Sequence, residues 1–160
     1  PTRRSSDLPS NGFEKIIFLA PDTVRNSYWC SKRVEGFGNG ASKHEFHFEC
    51  PEGNMLDISR QALESIKSGS GKHLIVLAND KKAAFFIDLA AKEKLEAGQD
   101  FYTLSFDNNP LYRNRNLSTI APPLEETGKL LADMIFSIPP RKHGVQYIVK
   151  ADSRLIKRNT

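Results

Sequence analysis

The stretch Leu74-Ile75-Val76-Leu77-Ala78-Asn79-Asp80 decides the fold of this 160-residue chain. Its five apolar residues show no in/out alternation and are too few for a helix, which predicts a strand covered on both faces. Asn79 or Asp80 then provides the N-cap of a helix predicted over about Lys81–Ala97, and Gly98 follows where a left-handed residue is wanted. A buried strand that leads directly into a helix is the repeating unit of an α/β fold.

The same unit occurs on both sides of this stretch. Strands are predicted at 16–20, 45–49, 74–78 and 101–106, and further helices at 33–37 and 56–67. Because consecutive strands joined by helices form right-handed crossovers, the pattern predicts an open parallel sheet with helices on both faces. The fold class is therefore α/β.

Beyond residue 106 the pattern changes. A polar loop at 107–116 precedes a very short strand at 117–120, and an amphipathic helix is predicted from about 124 to 138. Its apolar face carries Leu124, Leu131, Ile135 and Ile138, and a last strand is predicted at 145–150 before a basic tail.

Composition narrows the class of protein further. The chain is 39% apolar and carries 23 basic against 19 acidic side chains, a net charge of +4 with no block of like charges that indicates a nucleic-acid arm or a membrane patch. No apolar run approaches the roughly 20 residues that a membrane span needs. Two cysteines are too few for a disulfide framework, which favours a reducing compartment. These features predict a soluble domain with no membrane partner.

Residues 1–8 lack any periodic pattern. They match the one-frame translation of a widely used sequencing-adapter oligonucleotide, so we interpret them as a non-native leader and exclude them from the fold. The natural protein is then expected to extend upstream of Pro9.

Polar side chains follow every strand of the predicted parallel sheet. Ligands bind at the carboxyl ends of the strands in such a sheet, and carboxylates and amides pair with hydroxyl groups. Aromatic side chains in adjoining loops provide faces that could cover a sugar. The residues concerned are Asp22, Glu52, Asn79, Asp80, Asp107, Asn108 and Asn109, with Tyr28, Trp29 and Tyr112. The alternative is that the same acids and amides only cap helices and make turns.

Two sharper motifs do not survive inspection. Gly69-Ser70-Gly71-Lys72-His73 resembles half of a phosphate-binding loop, but Ile66 occupies the place of the first glycine and the loop precedes a strand instead of following one. The spacing of His44, His47 and Cys50 places residues three apart on opposite faces of a strand, which does not suit a metal. We predict no catalytic residues, no metal and no cofactor.

Six short motifs in order over residues 11–160 resemble one family. The match is to the effector-binding domain of the lac repressor/gal repressor family of bacterial transcription regulators, which shares the periplasmic sugar-binding-protein fold. The motifs are Gly12-Phe13-Glu14-Lys15-Ile16, Arg33-Val34-Glu35-Gly36-Phe37, Ala78-Asn79-Asp80, Ser105-Phe106-Asp107-Asn108, Leu117-Ser118-Thr119-Ile120 with Pro123 and Gly128, and Leu155-Ile156-Lys157-Arg158-Asn159-Thr160.

The resemblance implies a two-lobed domain that closes on a small effector, usually a sugar or nucleobase, and controls an N-terminal helix-turn-helix head. It implies ligand contacts at Asn79 and Asp107, at Arg25, Ser27 or Trp29, and near Asn54, where the family often has a stacking aromatic that is absent here. It divides the chain into a C-terminal lobe (9–114), a crossover strand and helix of a missing N-terminal lobe (115–141), and a return to the C-terminal lobe (142–160).

The resulting expectation is a cytoplasmic sensor domain that binds a small effector, probed here as a sugar. It would bind DNA only through the missing head, and as a homodimer in the full-length protein. The alternative is a periplasmic sugar-binding protein that feeds a transporter, and an upstream DNA-binding head or signal peptide would discriminate between the two.

Overall fold

A computed structural model describes residues 12–44, 46–137 and 151–158 of the chain. Within these ranges a six-stranded sheet has the order β2-β1-β3-β4-β5-β6. The strands are β1 (Phe13–Leu19), β2 (His47–Glu49), β3 (Lys72–Leu77), β4 (Tyr102–Phe106), β5 (Thr119–Ala121) and β6 (Arg154–Ile156). The helices are α1 (Asp22–Arg25), α2 (Tyr28–Lys43), α3 (Met55–Ser68), α4 (Asp80–Lys92) and α5 (Leu124–Ser137), and a 3₁₀ helix covers Pro110–Arg115.

The first five strands are parallel to their neighbours, and β6 alone pairs antiparallel with β5. The central pair is β1 with β3, in register from Lys15 opposite His73 to Leu19 opposite Leu77. This parallel arrangement confirms the predicted α/β class. It also brings the carboxyl ends of β1, β2, β3 and β4 to one edge of the sheet.

Apolar side chains of the sheet alternate between two cores, one on each face. This is why the strands read as continuous apolar runs. One face packs against α3 and α4 through Ile17, Leu19, Ile58, Leu63, Ile75, Leu77, Phe86 and Phe101. The other packs against α2 through Phe13, Ile16, Phe18, Cys30, Ala41, Leu74, Val76, Leu104 and Phe106.

Helix α2 is longer than predicted. It starts at Tyr28 instead of residue 33 and continues to Lys43 through all three glycines of its sequence. Glycine costs about 1 kcal/mol relative to alanine within a helix. Burial of Cys30 and Ala41 and packing of Phe37 against the core offset that cost, a tertiary contribution that local propensity does not include.

The region after β4 differs from the prediction in two further places. Strand β5 pairs with β4 and with β6 inside this sheet, which corrects its assignment to a second lobe. Its pairing is stable because Thr119 is fully buried and Leu117 just before it joins the core. The basic tail contains β6, which was not predicted, and the strand predicted at 145–150 lies outside the described residues.

A buried carboxylate joins the elements on this side of the sheet. Asp80, at the start of α4, is only 3% exposed. Its Oδ1 accepts hydrogen bonds from the hydroxyl groups of Ser105 on β4 and Thr119 on β5, the latter at 3.0 Å. Its Oδ2 accepts from the backbone N–H of Asn109 at 2.6 Å. One side chain therefore ties α4 to two strands and to the loop that follows β4.

We expect Asp80→Ala to lower the free energy of unfolding by about 3–5 kcal/mol, because the change leaves three buried donors without an acceptor. Urea denaturation followed by circular dichroism measures the effect. Asp88→Ala on the same helix is the matched control, since Asp88 makes a half-exposed ion pair with Arg115 and its loss should cost less than about 1 kcal/mol. Equal effects of the two variants would contradict the structural role of Asp80.

Candidate functional site

Arg33 is the centre of a polar cluster at the carboxyl edge of the sheet. Its Nη1 donates to the carbonyl oxygen of Ala78 at 2.9 Å, and its Nη2 lies 3.6 Å from Oδ1 of Asp107. The guanidinium carbon lies 4.7 Å from the ring centroid of Trp29 and 4.1 Å from that of Phe106. Held between two aromatic rings, the guanidinium is fixed in position with part of its surface accessible.

Asp107 adopts an unusual backbone conformation at the end of β4. Its φ is +99°, and Asn108 follows with a φ of +49°, values that cost energy in residues other than glycine. The loop is held by hydrogen bonds from Asp107 N to the carbonyl oxygen of Ile120 (3.0 Å) and from Asn108 N to Oγ1 of Thr119 (3.2 Å). Arg158 donates to the Asn108 side chain at 2.9 Å. These contacts present the Asp107 carboxylate, 46% exposed, to the solvent beside Arg33.

The environment of Asp107 raises the pKa of its carboxyl group. Partial burial is the main cause, the neighbouring Asp80 charge adds to it, and the Arg33 guanidinium opposes it. A carboxylate that is partly desolvated and only loosely paired gains from a ligand that supplies further hydrogen-bond donors.

Asn79 combines a structural and a ligand-facing capacity. Its Oδ1 accepts from the backbone N–H of Lys82 at 3.0 Å and so caps α4, as the alternative interpretation proposed. Among the residues that the structure describes, no acceptor lies within hydrogen-bonding distance of its amide nitrogen. That NH₂ group is available to a ligand at the edge where Asp107 and Arg33 lie.

Arg25 and Asn54 belong to a second group at the same edge. The Arg25 guanidinium donates to the carbonyl oxygens of Cys50 (3.2 Å) and Pro51 (2.8 Å) and lies 3.5 Å from Glu52. Asn54 caps α3 with its Oδ1 and donates its amide to Asp57. Both side chains are engaged in joining the loops after β1 and β2.

The remaining predicted residues lie nearby with different surroundings. The hydroxyl group of Ser27, the residue before α2, donates to the carbonyl oxygen of Val24 at 2.6 Å. Tyr28 is 79% exposed, and the partly exposed ring of Trp29 covers Arg33. Tyr112 packs against the core on the α4 face, so it offers no free ring.

Positive charge surrounds the two groups. Burial raises the pKa of the Cys30 thiol, and the nearby charges of Arg33, Arg25 and Lys82 act in the opposite direction. All three cations therefore lie around this one buried side chain of α2, which connects the two groups electrostatically.

Arg33 was absent from the predicted site although it was part of a quoted motif. The predicted helix began at Arg33, which hid its relation to the aromatic residue one turn earlier. In the observed helix Trp29 and Arg33 are four residues apart and share a face. A Trp and an Arg at this spacing just after a strand would have been the available signal.

The cluster presents an exposed carboxylate, a free amide and a guanidinium around an aromatic ring. Such a set both accepts from and donates to hydroxyl groups, and the ring can cover an apolar sugar face. Within the described ranges, no group of three His, Cys, Asp or Glu side chains is placed to hold a metal ion. The arrangement is therefore suited to binding a polar ligand.

Comparisons with known proteins agree with this fold. A family model for a periplasmic binding protein-like domain matches residues 6–160. The chain superposes on a probable maltose operon transcriptional repressor from Staphylococcus aureus with a TM-score of 0.74 at 17% identity, covering 92% of this chain and 54% of that one. A LacI-family transcriptional regulatory protein from Corynebacterium glutamicum gives 0.73 at 21% identity, with 96% and 60% covered.

A third structure is a periplasmic binding protein/LacI transcriptional regulator from Alkaliphilus metalliredigens complexed with D-xylulofuranose. Its TM-score is 0.68 at 21% identity, with 96% of this chain and 59% of that chain covered. A search of curated proteins found no match. The chain thus spans between half and three-fifths of the length of these structures, and the resemblance seen in the sequence is confirmed at the level of the fold.

No helix in the described part of the chain is long and apolar enough to cross a membrane.

We expect Asp107→Asn to leave stability unchanged or slightly raised at pH 7. Because the pKa of Asp107 is raised on folding, its ionisation costs stability as the pH rises through the window from the ordinary value of 3.8 to the folded value. The gain should be below about 1 kcal/mol, since solvent screens a half-exposed group, and asparagine tolerates the positive φ. Urea denaturation at pH 3.5 and pH 7 measures it.

The difference between variant and parent should grow from the lower to the higher pH. A variant that is less stable than the parent at pH 7 but not at pH 3.5 would contradict this sign.

Proposed function

We propose that this chain, which belongs to the periplasmic binding protein-like domain family, is the C-terminal part of the effector-sensing domain of a bacterial transcription regulator. In this proposal its role is to bind a ligand and change shape, with no chemical conversion of that ligand. The site at the carboxyl edge of the sheet forms one wall of the effector cleft.

The observation that carries the proposal is the conformation of Asp107. A fold accepts two successive positive φ values in non-glycine residues when function requires a particular side-chain direction, and here the result is a carboxylate aimed at solvent beside Arg33. A turn that served only to end β4 would gain nothing from this strain. Asn79 supplies the complementary donor from the next strand.

A sugar is the ligand class that we propose for the site. Vicinal hydroxyl groups each donate and accept, which matches an exposed carboxylate opposite a guanidinium and an amide. Trp29, partly exposed beside Arg33, provides the ring face. The solved structure from Alkaliphilus metalliredigens, of the same fold, is a complex with D-xylulofuranose, which supports this class.

The proposed partners follow from the regulator function. DNA binding is assigned to a head outside this chain, and the complete protein acts as a cytoplasmic homodimer. The solved structures that resemble this chain include a dimeric lac repressor, which supports that assembly.

Helix α5 supports the proposal of a second lobe. Leu124, Leu131, Ile135 and Phe136 are all more than half exposed, so the apolar face of this helix is uncovered. Burying a Leu or Ile side chain stabilises a protein by roughly 1.5–3 kcal/mol, and such a face is normally covered. We propose that α5 packs in the N-terminal lobe, while β5 before it stays in this sheet.

In a protein with the upstream half restored, we expect Asp107→Ala and Asn79→Ser each to weaken effector binding by about 1–3 kcal/mol, because each leaves ligand hydroxyl groups unpaired in a desolvated cleft. Serine keeps an oxygen that caps α4 and removes only the amide donor. Calorimetry against a panel of pentoses and hexoses identifies the tightest sugar and measures the loss.

Asp88→Ala and Asn114→Ala are the matched controls, since both residues are exposed outside the cleft. Normal sugar affinity in both cleft variants would mean that the strand-end residues are only caps and turns. Failure of every sugar to bind the parent protein would reject the ligand class.

Hydrogen exchange tests the position of α5. In the present chain we expect amides of 124–137 to exchange at least tenfold faster than those of β3, because no apolar layer covers the helix. In the longer protein the same amides should become protected. Equal protection of α5 and β3 in a demonstrated monomer of this chain would show that the helix belongs to the core of this lobe.

A further inference from the structure

A cavity lies at the end of the sheet opposite the candidate cleft. Its volume is about 260 Å³, and it is lined by Glu14, Lys15, His47, Ser65, Ser68, Gly69 and His73. The six residues of β3 span about 20 Å, at 3.3 Å per residue, and separate this cavity from Asn79. Every lining residue belongs to this lobe, so the cavity is complete within the chain.

Three nitrogen-bearing side chains form a row across neighbouring strands. In the register of the sheet, Lys15 on β1 lies opposite His47 on β2 and opposite His73 on β3. All three are on the face that α3 covers, because Ile17, two residues after Lys15, belongs to the core beneath α3. The row therefore faces the C-terminal end of α3.

His73 is the buried member of this row, with only 4% of its surface exposed. Its Nδ1 lies 3.0 Å from the carbonyl oxygen of Gly71. A carbonyl oxygen only accepts, so Nδ1 carries the proton and the neutral ring leaves Nε2 as an acceptor. In the part of the chain that the structure describes, no donor reaches Nε2, which is turned toward Gly69 at the cavity wall.

The two glycines of the loop before β3 make room for the cavity's functional groups. A Cβ atom at Gly69 would lie 2.5 Å from Cε1 of His73, and one at Gly71 would collide with the carboxylate of Glu14. The Gly-Ser-Gly sequence that resembles half of a phosphate loop thus has another explanation. It lets an imidazole and a carboxylate approach the same space.

The charges of the cavity favour a cation. Lys15 is neutralised, because its ammonium group lies 2.7 Å from Glu49 Oε1 and donates to Ser65 Oγ at 2.8 Å. His47 also donates to Glu49, at 2.8 Å. No cation among the described residues pairs with Glu14, and the last carbonyl groups of α3 add negative potential. The unbalanced charge is therefore negative.

We propose that this cavity is a second binding site, which takes the primary ammonium group of a small amine. The ammonium donates to Nε2 of His73 and to the Glu14 carboxylate, two acceptors whose partners inside the chain are missing. An ammonium offers three donors and no acceptor, which matches this pair of groups. The volume accommodates a compact ligand of a few carbon atoms.

Nuclear magnetic resonance titration of the 160-residue chain at pH 8 tests the site. The ligands are 3-amino-1-propanol, 1,3-propanediol and 3-hydroxypropanoate, which share a hydroxyl-ended three-carbon chain and differ in one head group. At this pH an ordinary aliphatic amine is protonated and an ordinary imidazole is neutral. We expect saturable shifts of the amides of Gly69, Gly71 and His73 with the amine, at least tenfold weaker binding of the diol, and no binding of the carboxylate.

Two variants separate this site from general attraction to negative charge. Glu14→Gln should weaken amine binding about tenfold by removing a charge-assisted hydrogen bond. Glu125→Gln makes the same charge change on α5 and should leave binding unchanged. Gly69→Ala should abolish binding, because the backbone at φ −81° accepts alanine while the new Cβ fills the cavity.

Tightest binding of the carboxylate, or equal binding of all three compounds, would overturn the proposal. So would equal losses in Glu14→Gln and Glu125→Gln, or amide shifts confined to residues around Asn79 and Asp107. The result is independent of the sugar-binding proposal, since the two sites lie at opposite ends of β3.

Discussion

The hydrogen bonds of the buried Asp80 carboxylate are the interaction on which the rest of this structure depends. A buried carboxylate is tolerated only where donors surround it, and here they come from β4, β5 and the loop after β4. Satisfying it fixes where α4 begins and how β5 lies beside β4. It also anchors Asn109, so the loop that carries Asp107 has one defined path.

Two aspartates at neighbouring strand ends consequently have opposite roles. Asp80 is enclosed and spends its acceptor capacity on the fold, whereas Asp107 is half exposed and faces only Arg33. The order of the fold supports the strain of the site, because the hydrogen bonds around Asp80 and Thr119 hold Asp107 at its positive φ. Rigid packing below and an unsatisfied rim above are the combination that a ligand site requires.

The parallel sheet gives this lobe two chemically different ends. At the carboxyl ends of the strands, loops and helix starts gather Asn79, Arg33 and Asp107. At the opposite end, strand starts and the end of α3 gather His73, Lys15 and Glu14 around a cavity. The difference follows from direction, since parallel strands expose equivalent termini together and helices return with their carbonyl ends at the strand starts. Each end therefore concentrates its own set of polar groups.

The sequence by itself determined the α/β class, because buried strands and amphipathic helices are recorded in the local period of apolar residues. Strands near 16–20, 74–78 and 101–106 and the helices after 55 and 80 are where the pattern placed them, within a few residues. Asn79 and Asp107 were identifiable as strand-end residues for the same reason.

Tertiary structure alone decided the order of the strands, the place of β5 and the partners of each polar side chain. Asp80 and Thr119 are 39 residues apart and Arg33 and Asp107 are 74 apart, so no local pattern relates them. The full length of α2 depended on burial against the sheet, which local propensity does not contain. Identical residue types became a buried anchor or an exposed ligand group only once packing had set how much water each retained.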